Sequence, residues 1–157
     1  MKQDLRFLAW LSALPALLLL LAWLVEHVLG WLPCTLCVEI RFFLLLVLLL
    51  SPLVLVRRVL VRRVTLLLVQ LLYCGAVLAN IRLLLLEYGV LEAQTCSPFP
   101  FYSVLFPHPW DVPEFLQGQA ICGEDIHRIF SLDFSVYTLL ALLGCQLVTL
   151  YLSRRSV

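Results

Sequence analysis

Four stretches of this chain, residues 7–25, 38–56, 64–86 and 134–152, are almost wholly apolar. Each supplies close to the roughly 20 residues that carry a helix, at about 1.5 Å per residue, across about 30 Å of hydrocarbon. A water-soluble domain of 157 residues has no place for all four, because 63% of the chain is hydrophobic, 13% is charged and the mean hydropathy is +1.03. Lipid must therefore be the solvent. The expected fold is an all-α integral membrane protein, a bundle of four transmembrane helices forming a single membrane domain over residues 1–157. A cleaved signal peptide is a competing reading of the first stretch, since Lys2 and Arg6 precede it. Its apolar core is too long for that, and no small-x-small cleavage site follows.

Charge sets the expected orientation. Lys2, Arg6, Arg57, Arg58, Arg62, Arg63, Arg154 and Arg155, eight of the eleven basic residues, fall on one side of a four-span topology. Basic loops stay in the cytoplasm, so both termini are expected there. The opposite side receives the short connection 26–37 and the long connection 87–133. The latter carries seven acids: Glu87, Glu92, Asp111, Glu114, Glu124, Asp125 and Asp133.

Sorting the six cysteines by side makes them informative. Cys74 and Cys145 lie inside spans, where a free cysteine behaves as a small hydrophobe, and they receive no chemical role. Cys34, Cys37, Cys96 and Cys122 lie on the non-cytoplasmic side, where disulfides persist. Three pairings are open to them. Cys34 and Cys37 are close enough to pair without folding of the rest. Cys96 and Cys122 would then close a loop of about 25 residues, worth about 3.5 kcal/mol on a chain-entropy model. That second pair reads as a structural fastening or as a mobile, reactive disulfide. Pro98, Pro100, Pro107, Pro109 and Pro113, with Gly118 and Gly123, suit a flexible loop. A zinc site is another reading of four cysteines, but thiolates are poorly kept in an oxidising compartment and the second pair is widely split.

Cys34-Thr-Leu-Cys37 is the shortest spacing that closes a reactive disulfide, and it stands where Pro33 gives way to the second span. A helix N-terminus there would stabilise a thiolate on either cysteine. Arg41, four residues after Cys37, shares its helix face and adds a cation. Arg41 and Glu39 also fit as plain interfacial residues, snorkelling or paired with each other. Phe99, Phe101, Tyr102, Phe106, Trp110 and Phe115 suit a loop segment lying in the headgroup layer, or one that meets a partner's groove. His27, His108 and His127 are scattered and form no ligand set.

A four-span chain with CxxC at the start of the second span, Arg41 four residues on, and a separated cysteine pair between the third and fourth spans resembles the disulfide bond formation protein B family, DsbB. That resemblance covers nearly the whole chain. It implies a membrane thiol:quinone oxidoreductase of the bacterial inner membrane with its active cysteines on the periplasmic side. Such an enzyme reoxidises a periplasmic DsbA-like thiol oxidase of thioredoxin fold and passes two electrons to a membrane quinone, ubiquinone or menaquinone. The periplasm is known to be held oxidising by this system rather than by a thiol buffer. By position, Cys96 would take the thiolate attack of the reduced partner, and Cys122, released, would attack Cys34. Cys37 would be freed as the thiolate that meets the quinone ring, with Arg41 stabilising negative charge beside it. Arg82 and Glu87 fall where family members place polar residues near the quinone.

Some positions depart from the family pattern. Glu39 stands where tyrosine or glutamine is more usual, and Cys122 is followed by Gly123, Glu124 and Asp125 rather than by an aromatic residue. A vitamin K epoxide reductase-like enzyme is a related alternative, but there the CxxC belongs with the last span, the reverse of the order here. A non-enzymatic membrane protein with structural loop disulfides leaves the pairing of CxxC with Arg41 unexplained.

Overall fold

The structure is a computed structural model that describes residues 2–56, 58–92, 99–105, 108, 111–120, 128–129 and 132–156. Four long helices dominate: α1 (Lys2–Leu29), α2 (Thr35–Leu50), α3 (Val59–Glu87) and α4 (Phe134–Ser156). Their apolar segments, Ala9–Leu29, Thr35–Leu55, Val59–Glu87 and Phe134–Tyr151, are long enough to cross a membrane. Short 3-10 turns cover Ser51–Leu55, Phe101–Leu105 and Glu114–Leu116, and a minimal antiparallel hairpin pairs β1 (Arg128–Ile129) with β2 (Leu132–Asp133) directly before α4.

The helices form a ring in which α2 packs on α1 and α3, α3 on α4, and α4 on α1. Each contributes one stripe at helical spacing. On α1 it is Leu11, Pro15 and Leu19; on α3 it runs through Leu66, Val69, Tyr73, Ala76, Val77, Asn80 and Leu83. The opposite faces stay apolar yet exposed, as with Leu17, Leu20 and Leu21 on α1 and Leu67, Leu71 and Leu78 on α3. Apolar outside as well as inside is what lipid requires and water forbids.

Local chemistry sets the helix ends. Ser51 and Pro52 stop α2, since proline cannot donate the next helical hydrogen bond and disfavours α conformation before it. At the end of α3, Gly89 adopts φ +68, which lets Gly89 N–H reach the Leu86 carbonyl and Val90 N–H reach that of Leu85. That is a left-handed C-cap that only glycine takes without strain. Gly30, at φ +67, ends α1 in the same way.

Several helix ends differ from the expected spans: α2 gives way to a 3-10 turn after Leu50 rather than at 56, and α3 begins at Val59 rather than 64. The α1 helix continues past residue 25 to Leu29, because Glu26 is turned into the bundle instead of opening a solvated connection. The α2 helix starts at Thr35, as the helix N-terminus expected at the CxxC motif requires, with Cys34 as its cap.

Candidate functional site

The CxxC motif winds the first turn of α2. Cys34 sits at the N-cap in extended conformation, and its Sγ accepts a hydrogen bond from the Cys37 backbone N–H at 3.4 Å. Thiol sulfur here does the work usually given to a serine or aspartate oxygen. The two sulfurs lie 2.8 Å apart, within exchange distance. Cys34 is buried and Cys37 partly so. The hydrogen bond with the Cys37 thiol, reinforced by burial, pushes the Cys34 thiol well above the ordinary cysteine range.

Arg41, one turn on, is buried and held on three sides. Nη1 donates to Glu26 Oε2 at 2.6 Å and to the Phe115 carbonyl at 3.3 Å, while Nη2 donates to the Ala22 carbonyl at 3.4 Å. Its guanidinium carbon also stands 4.9 Å from the centroid of the Phe115 ring. The pairing of Arg41 with Glu39 that sequence left open is not made. Residues two apart on a helix face different ways, and Glu39 Oε1 instead accepts from the Phe101 N–H at 3.2 Å.

These groups open into a cavity of about 350 Å3 between all four helices. Cys34, Cys37, Arg41, Asn80, Glu87, Ser135, Tyr137 and Thr138 are among its polar lining residues, and Leu18, Val25, Leu44, Leu83 and Leu142 form much of its apolar wall. Trp31, edge-on to Phe134 at 5.7 Å, closes the side between the α1–α2 connection and α4. Ser135 Oγ donates to Glu87 Oε2, tying the end of α3 to the start of α4.

Of the residues singled out from sequence, Cys34, Cys37, Arg41 and Glu87 are brought together at this cavity. Arg82 is not: it is exposed and absent from the lining, on the side of α3 where Glu39 feels its charge. At about 100° per residue, Asn80 and Glu87 are two turns apart on one face while Arg82 points away. That periodicity was readable beforehand and favours Asn80. Glu26 and Ser135 were missed because nothing in their own sequence neighbourhoods marks their partners. Cys96 and Cys122, the expected second pair, lie outside the described residues.

The long connection does more than lie at an interface. Tyr102 is buried, stacks on Phe42 at 4.3 Å and donates its hydroxyl to the Leu116 carbonyl at 2.6 Å. With Val112 and Leu116 it covers Val38 of α2. Phe99, Val104 and Leu105 remain exposed, and Phe106 and Trp110 lie outside the described residues. Further along, Gln119 and Ala120 N–H groups both donate to the Pro33 carbonyl, at 2.9 and 3.2 Å, and Ala120 forms a parallel bridge with Cys34. Gly118 permits this approach, since a Cβ there would meet Thr35 Cα, N and Oγ1 at 3.1 Å. The expectation of a flexible loop therefore needs correction for residues 99–105 and 111–120, which pack on the helix that carries the motif.

The cavity also fits a flat redox-active ring. It is large enough for one, apolar over most of its wall, reached by a sulfur and a guanidinium, and it holds a buried carboxamide, Asn80, whose polar atoms have no partner among the described residues.

A comparison with family models matches residues 5–152 to disulfide bond formation protein DsbB. No curated protein and no solved structure matches the chain. With the match spanning all four apolar helices and the CxxC site, the chain belongs to the DsbB family and is a multi-pass membrane disulfide oxidoreductase.

Proposed function

We propose that the protein is a thiol:quinone oxidoreductase of the bacterial inner membrane, which reoxidises a periplasmic DsbA-like thiol oxidase and passes the electrons to a membrane quinone. In this reading residues 1–157 form one membrane domain with both termini cytoplasmic and the CxxC end periplasmic. The observation that carries it is the opening of Cys34, Cys37 and Arg41 into one largely apolar cavity inside a lipid-solvated bundle.

Thermodynamics supports the choice of acceptor. A DsbA-type partner lies near −120 mV, and every 30 mV by which an acceptor falls short costs about 1.4 kcal/mol for two electrons. Glutathione pools lie far on the wrong side of that value. A quinone dissolved in the bilayer supplies the missing chemistry by taking up two electrons and two protons.

The chain's residues then divide the work. Cys96 takes the attack of the reduced partner, and its bond to Cys122 breaks. Cys122 attacks Cys34, breaking the Cys34–Cys37 bond and releasing Cys37 as the sulfur facing the cavity. The partner's second thiol resolves the mixed disulfide and frees Cys96, which attacks Cys122 to re-form their pair and leaves Cys34 and Cys37 as a dithiol. Docking of residues 118–120 on Pro33 and Cys34, immediately before Cys122 in the chain, supports that order. Cys37 leaves as a thiolate at the first turn of α2, where the N–H groups of that turn and Arg41 one turn on stabilise its charge. Glu87, held at Oε2 by Ser135, keeps Oε1 to move a proton at the cavity wall.

Purified protein, tested without oxygen, should oxidise many equivalents of a reduced DsbA-like protein when quinone is supplied, with one quinol formed per two thiols lost. Sustained oxidation without quinone would remove the quinone from the function. A finer test concerns the docked loop. Gly118→Ala forces its new methyl against Thr35 backbone, so turnover with the protein partner should fall roughly threefold to tenfold while the quinone KM stays unchanged. Equal turnover would show that this contact plays no part in the relay.

A further inference from the structure

Asn80 is fully buried on α3's apolar stripe, two turns before the helix ends at Glu87, and neither its Nδ2 nor its Oδ1 finds a hydrogen-bond partner among the described residues. An unpaired amide is costly in any protein interior and more so within a membrane-spanning helix, so its partner is to be sought in the space it faces. That space is the cavity of Cys37 and Arg41. Gln70, deeper on α3, also has both amide atoms unpartnered among the described residues, but it is only partly buried and does not line the cavity.

The antiparallel register of α2 and α3 fixes the level of Asn80. Cys34 and Leu36 pack with Leu83 and Leu86 at one end, and Ile40 and Leu44 share a cluster with Ala76 and Val77 further in. Asn80 falls between, at about the depth of Arg41 and on the facing helix. A ring entering the cavity therefore meets a guanidinium from one helix and a carboxamide from the other.

We propose that Asn80 binds one ring oxygen of the quinone and so fixes the orientation of the ring in front of Cys37; the assignment rests on the quinone reading above. The carboxamide suits both redox states of such a ring. Nδ2–H donates to a carbonyl oxygen of the oxidised form. Oδ1 accepts from the hydroxyl that replaces it after the Cys34 and Cys37 thiols have given up two electrons and closed their disulfide, with two protons taken up by the ring oxygens. Arg41 is a donor only and can serve an oxygen only as an acceptor. The two residues are thus not equivalent, and Asn80 is the one able to hold the ring throughout turnover.

The test uses full-length protein in detergent and two short-tailed probes, a benzoquinone and a naphthoquinone, each carbon-13 labelled at one carbonyl or the other. Infrared difference spectra, binding titrations and unfolding temperatures without quinone are compared for wild type and Asn80→Leu. In wild type, one labelled carbonyl band should be lowered by Asn80. In Asn80→Leu that band should return to its position in empty detergent, with the Kd raised about threefold to tenfold. The same variant, freed of an unpaired amide, should unfold at a higher temperature than wild type when quinone is absent. Unchanged carbonyl bands, or an unfolding temperature that falls together with affinity, would overturn the assignment and make Asn80 a packing residue. If wild type binds neither probe, the quinone reading fails and this assignment fails with it.

Discussion

Cys37→Ser protein should carry out one exchange with its protein partner and then stop. The Cys96 and Cys122 pair, oxidised at the start, can still hand its disulfide to a reduced DsbA-like protein, giving a burst of about one partner disulfide per enzyme. Nothing can then regenerate it, because serine oxygen neither forms a disulfide with Cys34 nor delivers electrons to the cavity. Steady quinone reduction should fall by roughly a thousandfold or more, the scale of losing a nucleophile that has no substitute. Counting partner thiols by mass and following quinone absorbance in one experiment separates the burst from turnover. Steady quinone reduction by this variant would mean that Cys37 does not face the acceptor. Cys74→Ser is the matching control, since Cys74 is exposed on the outer face of α3 and outside the cavity.

The second large effect concerns Arg41 and separates two roles that a single substitution would confound. Arg41 and Glu26 are nearly buried, their side chains 8% and 13% exposed, and they meet at 2.6 Å. Removing one partner of such a pair strands a buried charge and typically costs about 3–5 kcal/mol. Arg41→Gln should therefore lower thermal stability and also raise the apparent quinone KM by about tenfold or more. In the double variant Glu26→Gln with Arg41→Gln, no charge is left alone, and much of the stability should return. The quinone KM should stay high. If affinity recovered together with stability, Arg41 would be a clasp between α1 and α2 with no part in the quinone site.

The architecture was legible because a bilayer leaves a chain so few choices. Backbone groups in hydrocarbon must be satisfied within helices, so apolar length alone counts the spans. The closeness of Cys34 and Cys37 was legible for a related reason: a CxxC turn needs no knowledge of the tertiary fold. Long-range partners were not. Glu26 resembled the first residue of a solvated connection, and only the packing of α1 on α2 shows that its carboxylate meets a cation across the bundle. Arg82 was named only because the family resemblance implies polar residues in that stretch, whereas helical phase puts Asn80 and Glu87 on the cavity side. The aromatic loop was misjudged in part because the same residues suit a headgroup layer and a packed flap. Tyr102 is buried by a contact with Phe42 from a distant part of the chain, which local composition does not encode.

Cys34 has a double office at the end of α2. Its sulfur is the atom attacked in the proposed relay, and it is also the acceptor that satisfies the Cys37 amide. A reaction that turns this sulfur toward another cysteine withdraws the cap, leaving an N–H of the first turn unsatisfied beside Cys37 just as that residue acquires charge. Release of Cys34 returns the acceptor, for the capped end of α2 belongs to the state in which Cys34 and Cys37 are unbonded. In the proposed relay the helix end is thus uncapped while Cys34 is held by Cys122 and capped again when the dithiol is set free.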